Sequence, residues 1–440
     1  MLQSETVRKY DTYKDSGIEW IGEIPQEWTV GNLKRLTNFI KNGTSATQVE
    51  NETEYKVSRI ETISTGEINY SKTGYVQYFD NIDDYKLNSN DILFSNINSL
   101  EMVGNVAIYD NKESLYSGMN LLRISVNKNF CPKWLFYVLK NSYFKEQVKA
   151  NAKHAINQVS ISVGRLSQIP IIIPIKDEQQ QIADYLDKKC GEIDRVIETE
   201  KLVIEKLKEY KQSIITEAVT KGLDKSVPLK DSNIEWIGKI PQHWEVRKLK
   251  TIGDYRNGLT YSPEDMCEEE NGTLVLRSSN IKGGKLVLND NVYVSSEIPN
   301  VLKVQKGDIL ICSRNGSRDL IGKNAIIDAD IDASFGAFMM IFRSSCPRYM
   351  YYILNSHVFN YYLGSFFTST INQLTGKNFG GMDVVFCPNT SEQNAIIEYL
   401  DKKCSEIDKA IANKEQVIEK FTEYKKSLIY ECVTGKRKVI

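Results

Sequence analysis

No stretch of this 440-residue chain is apolar for long enough to cross a bilayer. The longest apolar runs, residues 335–342 and 169–175, have eight and seven residues, against the roughly 20 that a membrane helix needs. The opening residues 1–16 are polar and charged, which predicts no secretory leader. Histidine occurs three times, at 154, 243 and 357, widely spaced. The eight cysteines, at 131, 190, 267, 312, 346, 387, 404 and 432, never fall at a C-x-x-C spacing. Neither a disulfide framework nor a zinc site is expected, and reduced thiols in a cytoplasmic protein are. An excess of positive charge is missing too: 56 Lys and Arg against 57 Asp and Glu give a net charge of −1. That argues against a chain coated in positive charge and leaves a local basic surface open. With 41% hydrophobic and 26% charged residues, the chain can bury cores, and its length predicts two to four domains.

Catalytic motifs are absent as well. There is no G-x-x-x-x-G-K-[ST] phosphate loop, no Asp/Asn-Pro-Pro-aromatic motif and no glycine-rich nucleotide loop. Glu209 and Lys211, repeated as Glu423 and Lys425, form E-x-K pairs. A nuclease would need further carboxylates beside them to hold a metal, so they read as a solvated helix face. His243 stands where the repeat described next has Glu27, which makes it a poor catalytic candidate. The chain is expected to be no enzyme and to hold neither metal nor cofactor.

What is present is written twice. Residues 14–28 (KDSGIEWIGEIPQEW) and 230–244 (KDSNIEWIGKIPQHW) are identical at 12 of 15 positions. Residues 178–221 and 392–435 are identical at 25 of 44, around YLDKKC followed by E-I-D. Two such matches at nearly one offset mark an internal duplication. Between them lie two divergent stretches, 29–177 and 245–391, that keep sparse landmarks. Asn42-Gly43 answers Asn257-Gly258, Asp91-Ile92-Leu93 answers Asp308-Ile309-Leu310, and Ile156-Asn157-Gln158 answers Ile371-Asn372-Gln373.

Each repeated C-terminal block predicts a long helix. Apolar residues recur at Ile182, Leu186, Ile193, Ile197, Ile204, Leu207, Ile214 and Ala218, the spacing of a coiled-coil seam. Asp177 and Ser391 are candidate N-caps, and Gly222 and Gly435 are candidate stops. A helix of about 40 residues is about 60 Å long and needs a partner along its seam. An antiparallel pairing of the two helices with pseudo-two-fold symmetry is expected; a parallel intermolecular coiled coil is the alternative. Each divergent stretch reads as α+β, with one aromatic-rich helix, over 132–148 or 347–363, whose rings suit a core. The expected division is a first domain at 1–177, a helix at 178–222, a second domain at 223–391 and a helix at 392–440.

The remaining polar clusters suit recognition. In the first domain they are Lys41, Asn42, Thr44 and Ser45; Arg59; Ser95, Asn96 and Asn98; and Lys153, Asn157 and Gln158. In the second they are Arg256, Asn257, Thr260 and Tyr261; Arg277, Ser279 and Asn280; Arg314, Asn315 and Arg318; and Asn372, Gln373 and Lys377. Arg pairs bidentately with guanine and Asn or Gln with adenine, while Ser, Thr and Lys commonly meet phosphates. The same residue types also cap turns.

On the repeated lead-in segments, on IPIIIPIKDEQQQIADYLD at 169–187 and on two variable domains each followed by a long helix, the whole chain resembles the specificity subunit (HsdS) of type I restriction–modification systems. The resemblance implies an α+β fold with two target recognition domains, each reading one half of a bipartite double-stranded DNA site. The paired helices would set the gap and dock two methyltransferase (HsdM) subunits. S-adenosylmethionine would bind to those subunits, and ATP and Mg²⁺ would serve on partners that include ATP-dependent restriction (HsdR) subunits. Because the clusters are Arg-rich in the second domain and Asn/Ser-rich in the first, an asymmetric site is expected, with a G·C pair in the half read by the second. A stand-alone coiled-coil ligand-binding or adhesive protein is the alternative from another class.

Overall fold

The computed structural model describes residues 8–156, 158–366 and 373–439. Its two compact units do not follow the linear division expected from the sequence. One comprises residues 1–200 and 416–440, the other 201–415. Both long helices are therefore shared between the units, and each unit is a globular part plus one segment of each helix.

The globular parts are built alike. In the first unit a four-stranded antiparallel sheet has the order Val106–Ile108, Ile92–Ser95, Leu121–Val126, Thr37–Asn42. In the second the same order is taken by Asn324–Ile326, Ile309–Cys312, Met339–Ser344 and Gly253–Asn257. The central strands Ile92–Ser95 and Ile309–Cys312 are buried at every position. Successive side chains alternate between faces. Ile92 and Phe94 therefore join one core and Leu93 another. Ile309 and Ile311 separate from Leu310 and Cys312 in the same way. The Asn-Gly landmarks mark a close crossing of chains. A Cβ on Gly43 would lie 2.0 Å from the Gly118 carbonyl oxygen, and one on Gly258 2.1 Å from that of Phe335, so no larger residue fits.

The aromatic segments each form two helices rather than the single one expected. Pro132–Lys140 is followed by Ser142–Ala150, and Asn141 accepts from the Tyr143 amide to cap the second. Pro347–Ile353 is likewise followed by His357–Phe366. A side-chain cap of this kind satisfies amides that a continuous helix would bond internally. Trp134, Tyr137, Tyr349 and Tyr352 are buried, as a core role for the rings requires.

The long helices run over Lys176–Lys221 and Thr390–Val433, the first being about 69 Å long at 1.5 Å per residue. They start one residue before the expected caps. At the second, Asn389 rather than Ser391 caps, accepting from the Ser391 and Glu392 amides. Gly222 and Gly435 end them in the left-handed region, at φ 72° and 75°, where glycine carries no Cβ penalty. Within each unit the two helix segments are antiparallel. In the first, Lys425 reaches Asp194 at 2.6 Å, and Cys190 and Cys432 are buried in one core. In the second, Lys211 reaches Asp408 at 2.7 Å, and Gly222 approaches the Glu392 carboxylate. The E-x-K lysines thus bridge helices, with side-chain exposures of only 25% and 19%, which corrects the reading of a merely solvated face.

Candidate nucleic-acid interface

The scaffold beneath the recognition loops is pinned by contacts that recur in both units. The lead-in tryptophans are fully buried and bond the first turn of a long helix: Trp28 Nε1 donates to Glu178 at 2.7 Å and Trp244 Nε1 to Glu392 at 3.1 Å. Tyr10 adds a second donor to Glu178, whereas Glu392 gains His243 at 2.8 Å and the Cys387 thiol. Burial alone would raise the Glu392 carboxyl, but its bonds to His243, Cys387 and Trp244 outweigh it and hold the pKa below the ordinary value. Further along the helices, Tyr137 and Lys133 converge on Asp187, and Tyr352 and Arg348 on Asp401. Burial first, then the bond to Asp401, pushes the Tyr352 phenol up, so it stays a donor. Burial also pushes the Cys190 and Cys404 thiols up to about 11, leaving both protonated and inert at neutral pH.

Inside each sheet a carboxylate from the retained Asp-Ile-Leu meets an arginine. Asp91 takes Arg123 Nε at 2.6 Å, and Asp308 takes Arg343 through two nitrogens at 2.6 and 2.7 Å. Ile124 pairs with Ile92, and Phe342 with Ile309. By that register the arginines sit two residues apart along equivalent strands, on the same face. The sequence reading missed both. A lone charge inside a strand as apolar as Leu121–Val126 was the available signal.

The structure brings separate sequence clusters together. In the first unit Lys153–Ala155 and Gln158–Ser160 form a hairpin, and Val159 pairs with Asn98. Ile97–Asn98 thereby shares one small sheet with Lys153–Ala155 and Gln158–Ser160. Lys41 and Asn42 line a cavity of about 170 Å³ with Asp84, Tyr85, Ser117 and Arg123. In the second unit Arg314 bridges to Gln373, and Asn315 donates to Ser278 at 3.3 Å, so the 277–280, 314–318 and 373 clusters adjoin. The exposed Phe338 ring, also missed, lies under the Arg314 guanidinium at 5.1 Å.

Not every candidate faces outward. Thr44, Ser95, Asn96 and Asn280 are at most 6% exposed. Thr44 accepts from the Ala46 amide, Ser95 from the Asn98 side chain, and the Asn96 carbonyl from the Ile161 amide. Asn280 accepts from the Arg277 amide and donates to the Val287 carbonyl. Thr44, Ser95 and Asn280 bond within turns in this way, the competing role of such residues, whereas the buried Asn96 Oδ1 has no hydrogen-bond partner among the described residues. Arg277 is paired with Asp290 at 3.0 Å, Arg59 bonds Gln48, and Arg256 and Arg318 bond the Val301 and Gly364 carbonyls. Ser45, Gln158, Asn257 and Thr260 are exposed, while Asn98, Tyr261, Ser279, Asn315 and Gln373 are half-buried. Lys41, Lys153, Arg314 and Lys377 are exposed and carry no ion pair among the described residues, so their charge is available to an outside anion. Asn157 and Asn372 lie outside the described residues.

Each unit thus presents unpaired cations, amides and hydroxyls from strand ends, a short helix or hairpin and the loops beside them, the donor set that backbone phosphates and base edges require. Among the described residues no group of histidine, cysteine and carboxylate side chains could hold a metal ion, and no helix is long and apolar enough to cross a membrane. Residues 25–209 and 241–420 match the family model for the type I restriction modification DNA specificity domain. Over 95% of its length the chain is 32% identical to a putative type I restriction enzyme MjaX specificity subunit of Methanocaldococcus jannaschii, 96% of which is covered. The MjaVIII specificity subunit of the same organism is 26% identical over 94% of each chain. A solved structure concerned with the assembly of the type I restriction–modification system has the same fold, with a TM-score of 0.68 at 14% identity, covering 93% of this chain and 98% of that one. The chain belongs to the type I restriction–modification DNA specificity family.

Proposed function

We propose that this chain recognises DNA for a type I complex and leaves the chemistry to other subunits. Each unit reads one half of an asymmetric, bipartite duplex sequence. Lys41, Lys153, Arg314 and Lys377 meet phosphates or guanine, and Asn42, Gln158, Asn257 and Gln373 meet base edges. The long helices set the gap and receive two methyltransferase (HsdM) subunits, which bind S-adenosylmethionine. ATP-dependent restriction (HsdR) subunits supply ATP- and Mg²⁺-dependent cleavage, and the complex works in the cytoplasm. The observation that carries this reading is one scaffold present twice, with the same Trp–Glu, Tyr–Asp and Lys–Asp contacts, beneath loops that differ.

Exchanging residues 29–177 for another recognition domain is expected to change one half-site only, read by single-molecule sequencing of adenine methylation after co-expression with the methyltransferase. A change in both halves sinks the modular reading. Inserting one helical turn into each long helix is expected to lengthen the gap and keep both halves; an unchanged gap removes the ruler role.

A further inference from the structure

Ile156 stands at the tip of the first unit's hairpin and is 94% exposed, more than any other large hydrophobic residue described. The base of that hairpin is anchored: Val159 is buried, Ser160 pairs with Ile97, and the Ile161 amide donates to the Asn96 carbonyl. Its outer surface carries Lys153, His154 and Gln158, all exposed. Nothing in the fold calls for a branched apolar side chain in open water at this place.

A second observation is independent of the first. The tripeptide Ile-Asn-Gln at 156–158 recurs at 371–373, although the five residues before it (NAKHA against FFTST at 151–155 and 366–370) and the five after it (VSISV against LTGKN) share no identity at matched positions. Loops that diverge in order to read different bases have kept one apolar residue in common. Such a residue serves a task shared by both half-sites and indifferent to their bases. A thymine-methyl contact is a base-specific task. Wedging between stacked base pairs is not, and apolar side chains, Ile among them, do it in minor-groove proteins that unstack a duplex step.

We infer, on the DNA-reading role proposed above, that Ile156 is an apolar wedge. It enters between adjacent base pairs at the half-site of the first unit while Lys153 holds a neighbouring phosphate. The test uses the complex with the methyltransferase subunit and duplexes in which 2-aminopurine is moved stepwise through that half-site. With the native chain, fluorescence rises on binding at one step away from the methylated adenine, whose own extrusion by the methyltransferase would also relieve quenching. With Ile156→Ala the rise is lost and binding weakens about tenfold, since unstacking is no longer compensated, while the methylated motif stays the same. Ile156→Leu keeps both. As Ile156 is exposed, the Ala variant should melt with the native chain. An unchanged fluorescence rise in Ile156→Ala overturns the wedge. A relaxed base preference at one position instead makes Ile156 a base reader, and loss of methyltransferase co-purification makes it a protein contact; either also overturns it. A native complex that methylates no bipartite motif fails at the DNA-reading step, which separates that failure from failure of the wedge.

Discussion

The two units solve one packing problem with the same carboxylates and different partners. Asp91 and Asp308 occupy equivalent positions, yet Arg123 is 8% exposed in its side chain and Arg343 30%. Glu178 is bonded by Trp28 and Tyr10, Glu392 by Trp244, His243 and Cys387. A buried carboxylate must keep donors whatever the neighbouring residues become. After duplication the carboxylates and their tryptophan donors stayed, while the further donors to each glutamate and the position of the arginine beside each aspartate changed. The outer loops face no such constraint, and there the units differ freely. His243, which sequence comparison shows only as a replacement of Glu27, is one of these substitute donors.

The largest break of this comparison is expected at the sheet aspartates. Asp91→Ala leaves a buried guanidinium without its counter-charge and should cost about 3–5 kcal/mol. Asp308→Ala leaves Arg343 able to reach water and should cost roughly half of that. Thermal melting with hydrogen exchange in each unit checks both, and equal losses would show that partner burial does not set the cost.

A smaller difference should appear in acid. The folded-state pKa of Glu392 is depressed, so its contribution is present above the unfolded value of about 4.3 and is lost as pH falls through the folded value. The melting-temperature gap between the native chain and Glu392→Gln should shrink as pH falls below about 4.3. A gap that widens in acid refutes the assignment.

The smallest effects belong to the lysines between helices. Asp194–Lys425 and Lys211–Asp408 are partly exposed, so double-mutant cycles should give about 0.2–1 kcal/mol for each pair, declining with added salt. A coupling in the first unit that differs widely from that in the second would show that the two interhelix pairs are not equivalent.

Local patterns carried much of the architecture. The 3.5-residue seam announced both long helices, and Gly222 and Gly435 announced their ends, because helix periodicity and left-handed caps depend on neighbours in sequence. The aromatic segments were legible as helical, but not the break at Asn141, whose cap competes with continuation at small cost. The recognition face was legible as residue types rather than as a surface. Asn280 and Arg314 belong to similar polar clusters, yet Asn280 closes a turn inside the fold while Arg314 is exposed over Phe338.

By itself, then, the amino-acid order determined the duplication, the long helices and their stops, the α+β class and the pool of polar residues from which an interface could be drawn. These are consequences of repeat, period and local conformational preference. Only the tertiary structure decided that both helices are divided between compact units, that Lys211 and Lys425 bridge helices, that Arg123 and Arg343 neutralise buried aspartates, and which polar side chains remain exposed. Burial and charge pairing depend on residues brought together from distant positions, as when Asp194 meets Lys425, and no window along the chain contains both partners.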